Sequence, residues 1–146
     1  MTGTTVVDAS VAIKWLLLEE HTDLALALRE DAFRVGGHLA APPLISGEIA
    51  NALYQRERRG LVGRAETTRA FEEYLETPIQ FLTPVDLIAD SLTAARRYAL
   101  KATYDAQYLV VAQALDADFW TADLKLVRSL PRSMKWVRWI GDYVSQ

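Results

Sequence analysis

The sequence predicts an α/β domain of three layers, α/β/α, with a central parallel sheet and a helical arm. Short β-branched or apolar runs alternate with helical periodicities along the whole chain, and parallel strands need such crossover connections. The stretch Thr103 to Leu126 shows the unit in miniature. Tyr108, Leu109, Ala112 and Leu115 fall at helical spacing after Asp105, and Asp118 to Thr121 reads as a short buried strand ending at Ala122-Asp123. At 146 residues and 51% apolar, the chain suits a single domain over residues 1–146 with one full core.

Taken in order, Thr4-Thr-Val-Val7 is a β-branched strand ending at Asp8, and Ser10 is expected to cap the apolar helix Val11 to Leu18. Glu19 to Thr22 breaks the pattern. Leu24, Ala27, Leu28 and Ala32 then mark a second helix that stops before Gly36-Gly37 and completes a helical hairpin. His38 to Ala41 is the second strand. Pro42-Pro43 opens the third helix, with Pro43 suited to the first helical position and Gly60 to the C′ stop. Leu44, Ile45, Ile49, Ala52 and Leu53 form its apolar stripe, and Arg56 to Arg59 close it with charge. Arg64 to Glu76 is a further amphipathic helix through Ala70, Phe71, Tyr74 and Leu75, so this pair makes the arm. Gln80 to Thr83 is expected as the third strand. Pro84 leads into a helix with Leu87, Ile88, Leu92 and Ala95 that runs to Leu100. After the Thr103–Leu126 unit, Lys135 to Ile140 reads as a last strand at the edge of the sheet. Repeats, linkers and low-complexity segments do not appear in this pattern.

Chemistry-bearing residues gather at one end of this scheme. From Ala106 to Asp116 a helix climbs about 16 Å, and from Asp118 to Ala122 a strand returns over about 16 Å. Asp105 and Asp123 are therefore expected at the same end. Open parallel sheets place their sites beyond the carboxyl ends of the strands. Asp8 follows the first strand there, Asp123 follows the strand of the Thr103–Leu126 unit, and Asp105 starts a helix at that end. Glu48 falls between Leu44 and Ala52, on a face meant for the core, little more than one turn into its helix. Helical side chains lean toward the N-terminus, so it reaches back to the same rim.

Asp8, Asp105 and Asp123 also suit helix N-termini as caps, each contributing on the order of 0.5–2 kcal/mol. Capping does not account for Glu48, because a carboxylate on an apolar stripe costs desolvation unless it is paired or binds a metal. Asp116 and Asp118 lie at the other end of the strand and read as turn residues. Ser10 and Thr121 stand near the rim as candidate supports for a carboxylate or a metal-bound water. His21 and His38 read as bystanders, and Trp15, Trp120, Trp136 and Trp139 as packing residues.

The chain has no cysteine, which removes disulfides, thiolate zinc sites and cysteine nucleophiles and suits a cytoplasmic setting. Val11 to Leu18 is interrupted by Lys14, so neither a signal peptide nor a membrane span is expected. With 16 Lys+Arg against 19 Asp+Glu the net charge is −3, which argues against broad electrostatic binding of nucleic acid. Hard oxygen ligands without His or Cys suit Mg²⁺ or Mn²⁺. Such ions activate water for phosphodiester hydrolysis, and they invert the local field of an acidic pocket.

Val6-Val-Asp8-Ala-Ser10, Glu48 within a helix, Tyr104-Asp105-Ala and Thr121-Ala-Asp123, in this order, resemble the PIN domain, specifically the VapC-type toxins of toxin–antitoxin pairs. The resemblance covers nearly the whole chain. It implies that Asp8, Glu48, Asp105 and Asp123 hold Mg²⁺, with Ser10 and Thr121 as polar supports. It implies endonucleolytic RNA cleavage leaving 3′-hydroxyl and 5′-phosphate ends. It further implies a homodimer and a cognate antitoxin whose C-terminal segment packs across the helices and obstructs the site. Two other readings stand beside this one: a PIN-like nuclease of RNA processing or structured DNA that has no antitoxin, and a catalytically silent binding module. An aspartyl-nucleophile phosphatase fits less well, since the position two residues after Asp8 is Ser10 rather than an acid.

Overall fold

Strands buried on both faces cannot alternate apolar and polar residues, and the central runs of this chain do not. The protein is described by a computed structural model over residues 3–146. Its strands are β1 Thr4–Val7, β2 His38–Ala41, β3 Ile79–Phe81, β4 Asp118–Thr121 and β5 Val137–Trp139. They form one sheet in the order β3-β2-β1-β4-β5, with every neighbouring pair parallel. Val6, Val7, Leu39, Ala40, Ala41 and Phe119 in the middle are fully enclosed, whereas Gln80 and Phe81 on the edge strand β3 are exposed. The last strand lies at the other edge, as the sequence predicts.

The helices are α1 Ala9–Leu16, α2 Thr22–Arg34, α3 Leu44–Arg58, α4 Arg64–Glu76, α5 Leu87–Arg97, α6 Thr103–Leu115 and α7 Leu124–Ser129. Steps from β1 to β2 to β3 move one way across the sheet, and steps from β3 to β4 to β5 move the other way. Right-handed crossovers therefore put α1–α4 on one face and α5–α7 on the opposite face. The packing agrees: α1 lies against α2, α3 and α4, while α5 lies against α6. The result is the three-layer α/β/α fold. The chain reverses direction between β1 and β4, and that junction is the topological switch point.

Several boundaries differ from expectation, each for a local reason. Asp8, not Ser10, caps α1: leaving β1 extended at φ −102° and ψ 178°, its carboxylate reaches the Val11 N–H, and Ser10 falls inside the first turn. The helix ends at Leu16 because Leu17 turns extended to stay in the core, which leaves Leu18 93% exposed. Pro43 precedes the first helical residue, Leu44. The third strand starts one residue before Gln80 and ends at Phe81, two residues short of Thr83, as set by pairing of Ile79 with Leu39. α5 stops at Arg97, where Ala99 takes a left-handed φ of 52°. α6 begins at Thr103, so Asp105 stands within its first turn rather than ahead of it. Asp118 is the first residue of β4, with its carboxylate 3.4 Å from Arg138 Nε on β5, whereas Asp116 is a turn residue at φ 50°. β5 ends at Trp139 because Ile140–Asp142 form a 3₁₀ turn.

Gly60 behaves as read. It holds φ +71° and donates to the Glu57 carbonyl, while Leu61 donates to the Arg56 carbonyl, the paired bonds of a Schellman stop. The arm that follows is tied back by the Thr67 hydroxyl, which donates to Glu57 at 2.7 Å. Trp15 packs as expected, and its indole N–H donates to the Ala25 carbonyl across the α1–α2 hairpin.

Candidate active site

Because β1 and β4 are hydrogen-bonded neighbours with Val7 opposite Trp120, Asp8 leaves one strand beside Thr121 at the end of the other. The Thr121 hydroxyl donates to Asp8 Oδ2 at 2.5 Å, and Ser10 donates to Asp8 Oδ1, also at 2.5 Å. Ser10 Oγ in turn accepts from the Ala122 N–H at 2.9 Å, and Thr121 Oγ1 accepts from the Asp123 N–H at 3.1 Å. Two hydroxyls thus relay backbone donors of the β4–α7 turn onto one carboxylate. Both residues expected near the rim as supports hydrogen-bond to Asp8. Asp8 is 6% exposed, and burial pushes its carboxyl up to about 6. The hydrogen bonds from Ser10, Thr121 and the Val11 N–H pull the other way, and the Asp105 charge adds to the rise.

Glu48 stands half-buried on α3, and its Oε1 accepts from the Tyr108 hydroxyl at 2.5 Å. Desolvation raises its pKa, the Tyr108 bond lowers it, and the Asp105 charge raises it again. Asp105 is half-buried in the first turn of α6, raised first by desolvation and then by the charge of Asp123. Asp123 is exposed and caps α7 by accepting from the Leu126 N–H at 3.1 Å. Electrostatically, then, Asp105 is the hub. It acts on Asp8 and Glu48, and Asp123 acts on it. Asp8 and Asp123 each cap a helix, as the capping reading expects, and capping leaves both of them coupled to the charge of Asp105.

Among the described residues, no Lys, Arg or His forms an ion pair with any of the four acids. Carboxylates that repel one another without a cationic partner are the donor set that a hard divalent cation suits. As they stand, no three acidic or His side chains among the described residues come close enough together to hold one ion. The fit to a metal therefore rests on donor chemistry and uncompensated charge, not on a closed coordination shell. His21 packs edge-on against Trp139 at 5.3 Å, and Trp120 packs against Tyr143 at 5.1 Å, in line with the reading of the two tryptophans as packing residues.

One residue of the site escaped the sequence. Tyr108 reads as part of the apolar face of α6, and its ring is indeed core, 1% exposed and stacked on Phe119 at 5.5 Å. The available signal was its place three residues after Asp105, on the same helical face.

The PIN domain family's sequence model matches residues 5–129. The chain is similar to Ribonuclease VapC3 of Pyrobaculum aerophilum, 27% identical over 128 residues, which cover 86% of this chain and 94% of that protein. It is also similar to Ribonuclease VapC9 of Mycobacterium tuberculosis, 30% identical over 124 residues, covering 83% and 87% respectively. Among solved structures, that of PAE2754 from Pyrobaculum aerophilum aligns with a TM-score of 0.67 and 26% identity, over 94% of this chain and 91% of that one. With its three-layer parallel fold, the acid rim at the switch point and these likenesses together, the chain belongs to the PIN-domain family, among the proteins of the VapC type.

Proposed function

We propose that the protein is an Mg²⁺- or Mn²⁺-dependent endoribonuclease, the toxin of a toxin–antitoxin pair, with Asp8, Glu48, Asp105 and Asp123 as metal-holding and catalytic residues. The observation that carries this reading is the set of four carboxylates at one switch point, coupled through Asp105 and unpaired with any cation among the described residues. When bound, a divalent ion lowers the pKa of water and neutralises charge that gathers on the phosphate. The chain's own residues prepare that state. Ser10 and Thr121 fix both oxygens of Asp8, and the carboxyls of Asp8, Glu48 and Asp105, raised first by burial and further by a neighbouring charge, favour a cation that offsets both. A cation at the rim also allows a chain of net charge −3 to meet a polyanion.

The same reading includes RNA as substrate, a cytoplasmic setting and one domain over residues 1–146. No helix among the described residues is long and apolar enough to cross a membrane. The reading also includes an antitoxin whose C-terminal segment packs across the helices and obstructs the site, with the arm from Arg56 to Glu76 and the α1–α2 hairpin as the surfaces it bridges. The groove between α3 and α4, lined by Leu53, Tyr54, Thr67 and Phe71 and edged by Glu57 and Glu72, suits an amphipathic helix with a basic residue. For the homodimer, α5 offers the exposed Ile88 and Leu92 one turn apart, with the exposed Val85 just ahead of the helix. Asp86 and Asp90 lie in the N-terminal half of this segment and Arg96 and Arg97 in its last turn, so an antiparallel pairing centred on Leu92 brings opposite charges near one another.

RNA cleavage by the purified chain tests the central claim. Activity is expected with Mg²⁺ or Mn²⁺, to be lost in EDTA, and to return when the ion is restored. Undiminished cleavage in EDTA refutes the mechanism.

A further inference from the structure

Glu48 is the one acid of the four whose reach into the rim depends on a long side chain. Asp8 is fixed by two hydroxyls and a backbone N–H, and Asp123 by the cap of α7. A glutamate on a half-exposed helix face has three free torsions, and a carboxylate used for metal binding must lose them. The Tyr108 hydroxyl supplies the constraint, donating to Glu48 Oε1 at 2.5 Å. The donor is itself rigid. Its ring is 1% exposed and lies within 8° of parallel to Phe119, a fully buried residue in the middle of β4. One helix, α6, therefore carries both Asp105 and, one turn later, the group that holds the acid contributed by α3.

We propose that Tyr108 is a positioning residue, which holds Glu48 Oε1 so that the second carboxylate oxygen faces the acid rim, and thereby sets the affinity for the divalent cation. The proposal rests on the reading of the four acids as a metal site. Partners of metal ligands orient the ligand and restrict its rotation, and removing one typically costs about 10–100-fold in metal affinity or activity. A buried tyrosine that had merely found an acceptor would leave cation binding untouched when its hydroxyl is lost.

The test is titration of Mn²⁺ into the full-length protein, followed by calorimetry and by the paramagnetic signal of free Mn²⁺, in wild type, Tyr108→Phe, Glu48→Gln and the double variant. Tyr108→Phe is expected to weaken Mn²⁺ binding by about 10–100-fold while unfolding in EDTA stays cooperative. It is also expected to lower kcat for RNA with KM nearly unchanged. In the Glu48→Gln background the same change is expected to have no further effect, because Tyr108 acts through Glu48. Unchanged Mn²⁺ affinity in Tyr108→Phe overturns the proposal, and so does an equal loss in both backgrounds, which would mean a general effect on the core. If Tyr108→Phe does not fold, Phe119→Leu decides, since it keeps the hydroxyl and releases the stack: weaker Mn²⁺ binding supports the proposal and unaltered binding overturns it. Failure of the wild type to bind Mn²⁺ at all would instead overturn the metal-site reading beneath it.

Discussion

Replacing Asp8 by Asn removes one charge from the rim and keeps nearly everything else. Asn caps a helix about as well as Asp, so the bond to the Val11 N–H survives. The Thr121 hydroxyl, which donates to Asp8 Oδ2, must turn to accept from the new amide, at a cost of about 1 kcal/mol. Against this stands the relief of a strained carboxylate. Asp8 is raised from 3.8 to about 6 in the folded protein, and that difference amounts to about 3 kcal/mol of stability. Because the folded pKa lies above the unfolded one, the stability is fully present below about pH 4 and is lost as the pH rises through about 6. In EDTA, Asp8→Asn is therefore expected to be slightly less stable than wild type near pH 4. Near pH 7.5 it is expected to be more stable by about 2 kcal/mol. Adding Mg²⁺ should close the gap from the other side, since a ligand at 100 times its Kd stabilises wild type by about 2.7 kcal/mol and the variant far less. Urea unfolding from pH 4 to pH 7.5, with EDTA and with millimolar Mg²⁺, measures all of this, alongside loss of RNA cleavage by the variant. Parallel stability curves for the two proteins, no response of wild type to Mg²⁺, and intact cleavage by Asp8→Asn would refute the shared site and leave Asp8 a helix cap.

Three further outcomes are expected. Glu48→Gln should lower RNA cleavage by about 10²-fold, whereas Glu57→Gln, at the far end of the same helix, should leave cleavage intact and cost at most about 1 kcal/mol through its bond to Thr67; steady-state kinetics and urea unfolding separate the two. Leu92→Arg places like charges at the centre of the proposed α5 pairing and should shift the protein to monomer in sedimentation velocity, with an unchanged dimer excluding that face. Hydrogen exchange with and without the antitoxin should show protection over the arm from Arg56 to Glu76 or the α1–α2 hairpin, and protection that avoids both would exclude this docking surface.

Much of the site was legible because its members mark chain events that are local. Asp8 and Asp123 end strands and begin helices, so a β-branched run followed by an acid and an apolar helix locates them. Glu48 is conspicuous as a charge on an apolar stripe, whatever lies opposite. Of the two roles the sequence offers Ser10, only the cap passes to Asp8, since the choice between them turns on the backbone angle at the end of β1. Tyr108 was not legible as a functional group, because helical periodicity registers the burial of its ring and is blind to where its hydroxyl ends.

The sequence by itself determined the alternation of strands and helices, the parallel sheet with its last strand at the edge, the stop at Gly60 and the end of the molecule to which the acids belong. These follow from periodicity, capping and backbone freedom, which act over a few residues. Tertiary structure alone decided the order of the strands, the role of Asp105 as hub, and the pairing of Tyr108 with Glu48 across 60 positions and of Thr121 with Asp8 across 113. The physical reason is that desolvation and charge coupling depend on distance and burial in space, and both arise only when the crossovers bring β1 beside β4 and lay α6 over their junction.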